Sequence, residues 1–117
     1  MARGLGQYGL AYLHVVENDF AGSSSTQTFD RRRLRQAFGG RYLANGGYDR
    51  ERASEALSSG AADLLSFRVP FLANPDLPAR FAQGAPLNVA DPSTFYGGDE
   101  KGYTDYPFLS PKRATAA

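Results

Sequence analysis

The chain has 117 residues, 42% of them hydrophobic, and its 13 basic and 12 acidic side chains leave a formal net charge of +1. So even a balance gives no electrostatic case for nucleic acid or an anionic membrane as partner, and the apolar content is that of a folded domain. Cysteine is absent, which excludes a disulfide framework, a thiolate metal site and a thiol nucleophile.

The opening MARGLGQYGLAYLHVVEND has neither a long apolar core nor a small-residue cleavage site. It does not read as a signal peptide, no stretch approaches the ~20 apolar residues of a membrane span, and a cytoplasmic location is expected. Leu10 to Val16, broken only by His14, is a continuous apolar run suited to a strand of a parallel sheet. Glu17-Asn18-Asp19 ends it, and FAGSSSTQT follows as a polar loop. Phe29, Leu34, Ala37 and Phe38 fall on one face of a helix that Thr28 or Asp30 could cap and Gly39-Gly40 would stop.

Arg41 to Ala44 reads as the second strand. Asp49 opens a second helix, DRERASEALSSG, with Gly60 as its C-cap, and Asp63 to Phe67 reads as the third strand. PFLANPDLP reads as a turn-rich connection, because Pro70, Pro75 and Pro78 each forbid regular pairing. Asp76 or Pro78 then leads into a short helix through Ala79–Ala82. From about Ala85 the chain becomes an irregular tail rich in Gly, Pro, Tyr and Asp. Residues 1–109 are therefore expected to form one α/β unit, with residues 110–117 disordered.

Strand–helix alternation implies a parallel sheet with right-handed crossovers, in a β/α barrel or an open doubly wound sheet, and in such folds ligands gather at the carboxyl ends of strands. Asn45-Gly46-Gly47 lies at such an end, just before a helix. Glycine lets backbone approach a ligand without a Cβ in the way, and the following helix start favours a phosphate. An ordinary tight turn explains the same pair equally well.

YLANGGYDRERA, PFLANPDLPARF, APLN, STFYGG and GYTDYPFL occur in this order and spacing. Together they resemble the C-terminal part of the Old Yellow Enzyme family of ene-reductases, and AYLHVVE followed by a loop and a basic helix fits the same family one unit earlier. The resemblance runs from about Gly9 to Leu109 and implies an FMN-dependent (β/α)8 barrel. Hydride would pass from NADH or NADPH through the flavin to a small-molecule activated alkene. The strands at 10–16, 41–44 and 63–67 would be the sixth, seventh and eighth of the barrel, and MARGLGQYG would belong to the helix before them. The resemblance assigns Asn45, Gly46 and the residues after Phe67 to the flavin phosphate.

Two departures follow. At the eighth strand's end the family has an aromatic residue, then Gly-Arg, whereas this chain has Phe67-Arg68-Val69. Arg68 either swings to the phosphate from the turn or fills the space the phosphate needs. A complete barrel takes about 250 residues, so this chain supplies three of eight units. The family's catalytic residues are expected in the absent N-terminal part; the alternative is a non-catalytic remnant, or a module that only completes the complementary N-terminal half barrel of another chain as its partner. Two unpaired parallel edges would otherwise remain.

Tyr96, in the aromatic pair before Gly97-Gly98, is by resemblance a substrate-lining residue, although Phe95 and Tyr96 could equally pin the tail. Tyr103 and Tyr106 read as tail anchors. His14 reads as structural, and no metal site is expected around a lone histidine. Arg31, Arg32, Arg33 and Arg35 read as the solvated face of a helix. Asp63, Asn74 and Asp76 read as turn and cap residues.

Overall fold

The structure, a computed structural model, describes residues 1–17 and 30–109. The FAGSSSTQT loop, the alternative cap Thr28, Phe29 and the tail at 110–117 lie outside the described residues. The chain divides into two compact units, Met1–Ser66 and Phe67 onward.

The first unit opens with α1 (Ala2–Gly6), a helix before the first strand as the resemblance implies. It continues as β1 (Leu13–Val16), α2 (Arg31–Phe38), β2 (Tyr42–Asn45), α3 (Arg50–Ser58) and β3 (Leu64–Ser66). Asp30 caps α2 by accepting from Arg32 N at 3.0 Å, and Asp49 caps α3 by accepting from Arg52 N at 2.8 Å. Both carboxylates satisfy an N–H that has no partner within its helix. Gly39 closes α2 in the left-handed conformation, its N–H donating to Arg35 O.

The sheet is parallel in the order β1-β2-β3. Leu13 pairs with Tyr42, and Asn45 pairs with both Val16 and Ser66. This register shortens β1 and β3 relative to expectation and moves β2 one residue along, from Arg41–Ala44 to Tyr42–Asn45. Leu10 to Tyr12 would have to pair with Gly39 to Arg41, but Gly39 is committed to the helix cap, so β1 starts at Leu13. Likewise β2 ends at Asn45, so β3 stops at Ser66 and Phe67 lies outside it.

Alternation puts Leu13, Val15, Tyr42, Ala44 and Leu65 on one face. There Tyr42 and Ala44 form a core with Ala56 and Ala62, against which Leu34 also packs. Tyr42 is 1% exposed, and burying such a ring contributes roughly 2 kcal/mol. The opposite face is more open: His14 is exposed, and Val16 and Leu64 are 56% and 42% exposed. The continuous apolar run of β1 is therefore buried on one side only.

In the second unit, the segment expected as a turn-rich connection forms α4 (Val69–Ala73) instead. Pro70 sits in the first turn, where its missing N–H would have had no helical partner, and Pro75 follows the C-cap Asn74. Next comes α5 (Leu77–Gln83), longer than expected at both ends, with Pro78 again in the first turn. Phe67 packs edge-on against Phe81, with centroids 5.2 Å apart. Beyond α5 the described chain contains one short 3-10 helix, Pro92–Thr94, capped by Asp91.

Buried polar groups tie this unit together. Asn74, fully buried, donates to Pro70 O at 2.8 Å and accepts from Asn88 N at 2.7 Å. Asn88 donates to Ala73 O and Pro107 O. Arg80, 4% exposed, donates to Asp76 Oδ1, Pro86 O and Pro107 O. Asn74, the C-cap of α4, therefore does more than cap, whereas Asp76, expected as a cap, makes no capping bond and accepts from Leu109 N at 2.7 Å instead. No described helix is long and apolar enough to cross a membrane.

Candidate functional site

Asn45 is the last residue of β2, and the two glycines after it turn the chain toward α3. Gly46 has φ 142° and Gly47 has φ 61°. Both values lie in the region that residues with a Cβ avoid, so the adjacent glycines are a backbone requirement. The N–H groups of Gly46 and Gly47 meet no backbone acceptor among the described residues. The turn thus presents amide donors at the carboxyl end of a parallel strand, ahead of a nine-residue helix.

The turn is held from several directions. Arg52 Nη1 donates to Gly47 O at 2.8 Å, and its guanidinium lies 5.3 Å from the Tyr48 ring centroid. Tyr48 donates its hydroxyl to Glu17 Oε2 at 2.7 Å, and Tyr42 donates to Glu17 Oε1 at 2.8 Å. Arg31 Nη2 donates to Glu17 O at 2.7 Å and Arg31 Nη1 lies 3.5 Å from Oε2. The Glu17 side chain is only 8% exposed. Burial, reinforced by the bond to Glu17, pushes both tyrosine hydroxyls above their ordinary range, so they stay protonated donors.

Across the other face of the sheet, Asn45 Nδ2 donates to Ser66 O at 3.0 Å and Ser66 Oγ at 2.9 Å. Ser66 Oγ also lies 3.0 Å from His14 Nε2. His14 thereby joins a hydrogen-bonded row across all three strands. The basic helix is only partly a solvated face: Arg32 and Arg33 are exposed, whereas Arg31 engages Glu17 and Arg35 pairs with Asp63 at 3.0 Å. Asp63 is more than a turn residue, since it also accepts from Tyr42 N at 2.8 Å.

In the second unit, Arg68 is the N-cap residue of α4. Its guanidinium lies 4.8 Å from the Tyr96 ring centroid and 5.5 Å from that of Phe95. Two residues singled out from the sequence, Arg68 and Tyr96, are thus brought into contact. Arg68, Phe71, Thr94, Phe95, Tyr103 and Tyr106 line a groove of about 630 Å³. Tyr96 itself is 79% exposed. Tyr106 anchors the tail through its hydroxyl, which accepts from Asp91 N at 2.9 Å, whereas Tyr103 is largely exposed.

Glu17 and Arg80 carry the two densest polar networks and were not singled out from the sequence. A carboxylate after an apolar run reads as a strand terminator, and its partners Tyr42 and Tyr48 lie 25 and 31 residues away. The Asp76–Arg80 spacing of four on a helix was the one signal available for Arg80.

A parallel sheet in the sequential order β1-β2-β3, with a helix after each strand and a glycine turn at a strand's carboxyl end, is the pattern of part of a β/α barrel. Residues 4–88 match the NADH:flavin oxidoreductase / NADH oxidase family, and the chain belongs to that family. It is similar to a 12-oxophytodienoate reductase-like protein of Solanum lycopersicum, 47% identical over 112 residues, which cover 93% of this chain and 30% of that protein. Among solved structures it is similar to morphinone reductase, with TM-score 0.82, 50% identity, and coverage of 95% of this chain and 30% of the other. A structure of morphinone reductase in complex with tetrahydroNAD matches with TM-score 0.78 and 48% identity over 95% of this chain and 29% of the other. The chain therefore spans about 30% of the length of these relatives.

Proposed function

We propose that this chain contributes the flavin-phosphate turn of an FMN-dependent ene-reductase that uses NADH or NADPH to reduce activated alkenes. The observation that carries the reading is the Gly46–Gly47 turn. Its two positive φ values and its amides, which meet no backbone acceptor among the described residues, occur in a chain of the NADH:flavin oxidoreductase family.

The residues present fit a phosphate. The donors are backbone N–H groups, neither glycine has a Cβ to fill the approach, and the nearby Asp49 carboxylate is occupied in capping α3. FMN, when bound, supplies the hydride relay between nicotinamide and alkene. Gly46 and Gly47 would bind its phosphate, and Asn45, fixed by Ser66, would hold the strand end from which the turn departs. In the second unit, the exposed Arg68 guanidinium, held beside the Phe95 and Tyr96 rings, would offer N–H groups to an anion. Tyr96 would line the substrate pocket. The proposed compartment is the cytoplasm.

Amide chemical shifts recorded on the chain with FMN and with riboflavin test the reading. Gly46 and Gly47 are expected to move with FMN and not with riboflavin, which lacks the phosphate. Equal responses to both, or none, would refute it.

The open face of the sheet favours a second reading, in which the chain completes the barrel of a separate N-terminal half. Val16 and Leu64 are large apolar side chains exposed on that face, and both β1 and β3 are edge strands. Co-purification with the N-terminal part of a family barrel would support this, and failure to associate would count against it.

A further inference from the structure

We infer that Glu17 is a positioning residue that holds the Gly46–Gly47 turn in its donor-presenting shape through Tyr48; the inference rests on the phosphate reading of that turn. Glu17 stands at the end of β1 and is nearly buried. A buried carboxylate is costly unless its oxygens are satisfied. Here Oε1 accepts from Tyr42, and Oε2 accepts from Tyr48 and faces Arg31.

The partners connect the carboxylate to three elements. Tyr42 begins β2, Arg31 begins α2, and Tyr48 directly follows Gly47. Glycine pairs lose more conformational freedom on ordering than other residues, so a turn made of them needs an external tether to hold one shape. Tyr48 is that tether. Its hydroxyl is fixed by Glu17, its ring is covered by Arg52, and Arg52 also holds the Gly47 carbonyl. With that carbonyl engaged, the Gly46 and Gly47 amides remain as the turn's donors. Glu17 touches no flavin atom in this scheme and acts only through Tyr48.

The test uses the full chain as wild type, Glu17→Gln and Tyr48→Phe. Tyr48→Phe deletes one hydroxyl and keeps the ring, so it remains informative if Glu17→Gln fails to fold. Amide hydrogen exchange and chemical shifts at Gly46, Gly47 and Tyr48 report the turn, and the β2 amides report the fold. Both variants are expected to speed exchange at the turn with β2 unchanged, and to weaken the FMN response of the two glycine amides about tenfold. Unchanged turn exchange, or an unchanged FMN response, in a folded variant would overturn the inference while leaving the phosphate reading intact. A wild-type turn that responds equally to FMN and riboflavin would instead refute the phosphate reading, and the positioning role with it.

Discussion

Arg80 donates its Nε to Asp76 Oδ1 at 2.7 Å, one helical turn away, with the arginine 4% and the aspartate 15% exposed. The same guanidinium reaches Pro86 O at 2.7 Å and Pro107 O at 2.9 Å. One cation thus clamps α5 to two points of a tail that has almost no regular structure of its own. Removing it leaves Asp76 Oδ1 and Pro86 O without their donor, while Pro107 O keeps only Asn88 and Asp76 Oδ2 keeps Leu109 N. Arg80→Met is therefore expected to destabilise the second unit by about 3 kcal/mol. Urea unfolding measures the loss, and faster proteolysis within residues 85–109 locates it.

Acid should weaken both units. The N–H of Tyr42, together with Arg35, holds the Asp63 carboxyl below its ordinary range despite burial. At Asp76 burial pushes upward, but the bonds from Arg80 and Leu109 prevail and the carboxyl is lowered. Asp91 is lowered by its bonds to Ser93. A depressed folded pKa contributes stability above the unfolded value, and that stability is lost as pH falls through the folded one. Stability should therefore fall below about pH 4. The raised Tyr42 and Tyr48 hydroxyls act in the other direction: their contribution is present in neutral solution and is lost as pH rises beyond about 10. Urea midpoints across pH check both limbs, and Asp76→Asn should flatten the acid limb.

The boundaries of α2 and the start of α3 were legible because they depend on neighbours in sequence, whereas α3 ends on the C-cap Ser59, one residue before the expected Gly60. Asp30 and Asp49 each cap the amide two or three residues ahead, and Gly39 ends its own helix. Strand length was less legible, since where β1 starts depends on what β2 offers as a partner. Pro70 was misread because the same missing N–H that forbids pairing is harmless in a helix's first turn. The glycine turn was visible as two letters. Its supports were not, since Glu17 meets Tyr48 only once the sheet has brought them together.

The Gly47 conformation makes a separate claim. At φ 61° an added Cβ costs roughly 1–2 kcal/mol, so Gly47→Ala should either lower stability by that amount or reshape the turn. Urea unfolding distinguishes these, because a reshaped turn recovers stability. In both cases the FMN response of the Gly46 amide should shrink. A variant with unchanged stability and an unchanged FMN response would show that the left-handed conformation is dispensable.

The 117-residue chain alone is not expected to reduce 2-cyclohexenone with NADPH. It offers a three-stranded sheet with one open face and spans about 30% of its relatives, too little to enclose a flavin ring and exclude water from it. FMN binding by the chain alone should accordingly be weak. NADPH oxidation that depends on both enone and chain would contradict this, as would a stoichiometric yellow complex that survives gel filtration.

Arg68 decides between two roles. Its guanidinium lies 4.8 Å from the Tyr96 ring centroid and 5.5 Å from that of Phe95, and a guanidinium held by such contacts loses less freedom when it binds an anion. Arg68→Ala should then weaken the FMN response of the chain by about tenfold, the usual worth of a charge-assisted hydrogen bond. It should also free the Tyr96 ring, seen as increased side-chain mobility of Tyr96 in NMR relaxation. Arg68→Lys, which retains the charge but not the planar fork, should recover only part of the affinity. If the arginine instead fills the space the phosphate needs, Arg68→Gly will strengthen FMN binding. That gain would rule out an anion-binding role for Arg68.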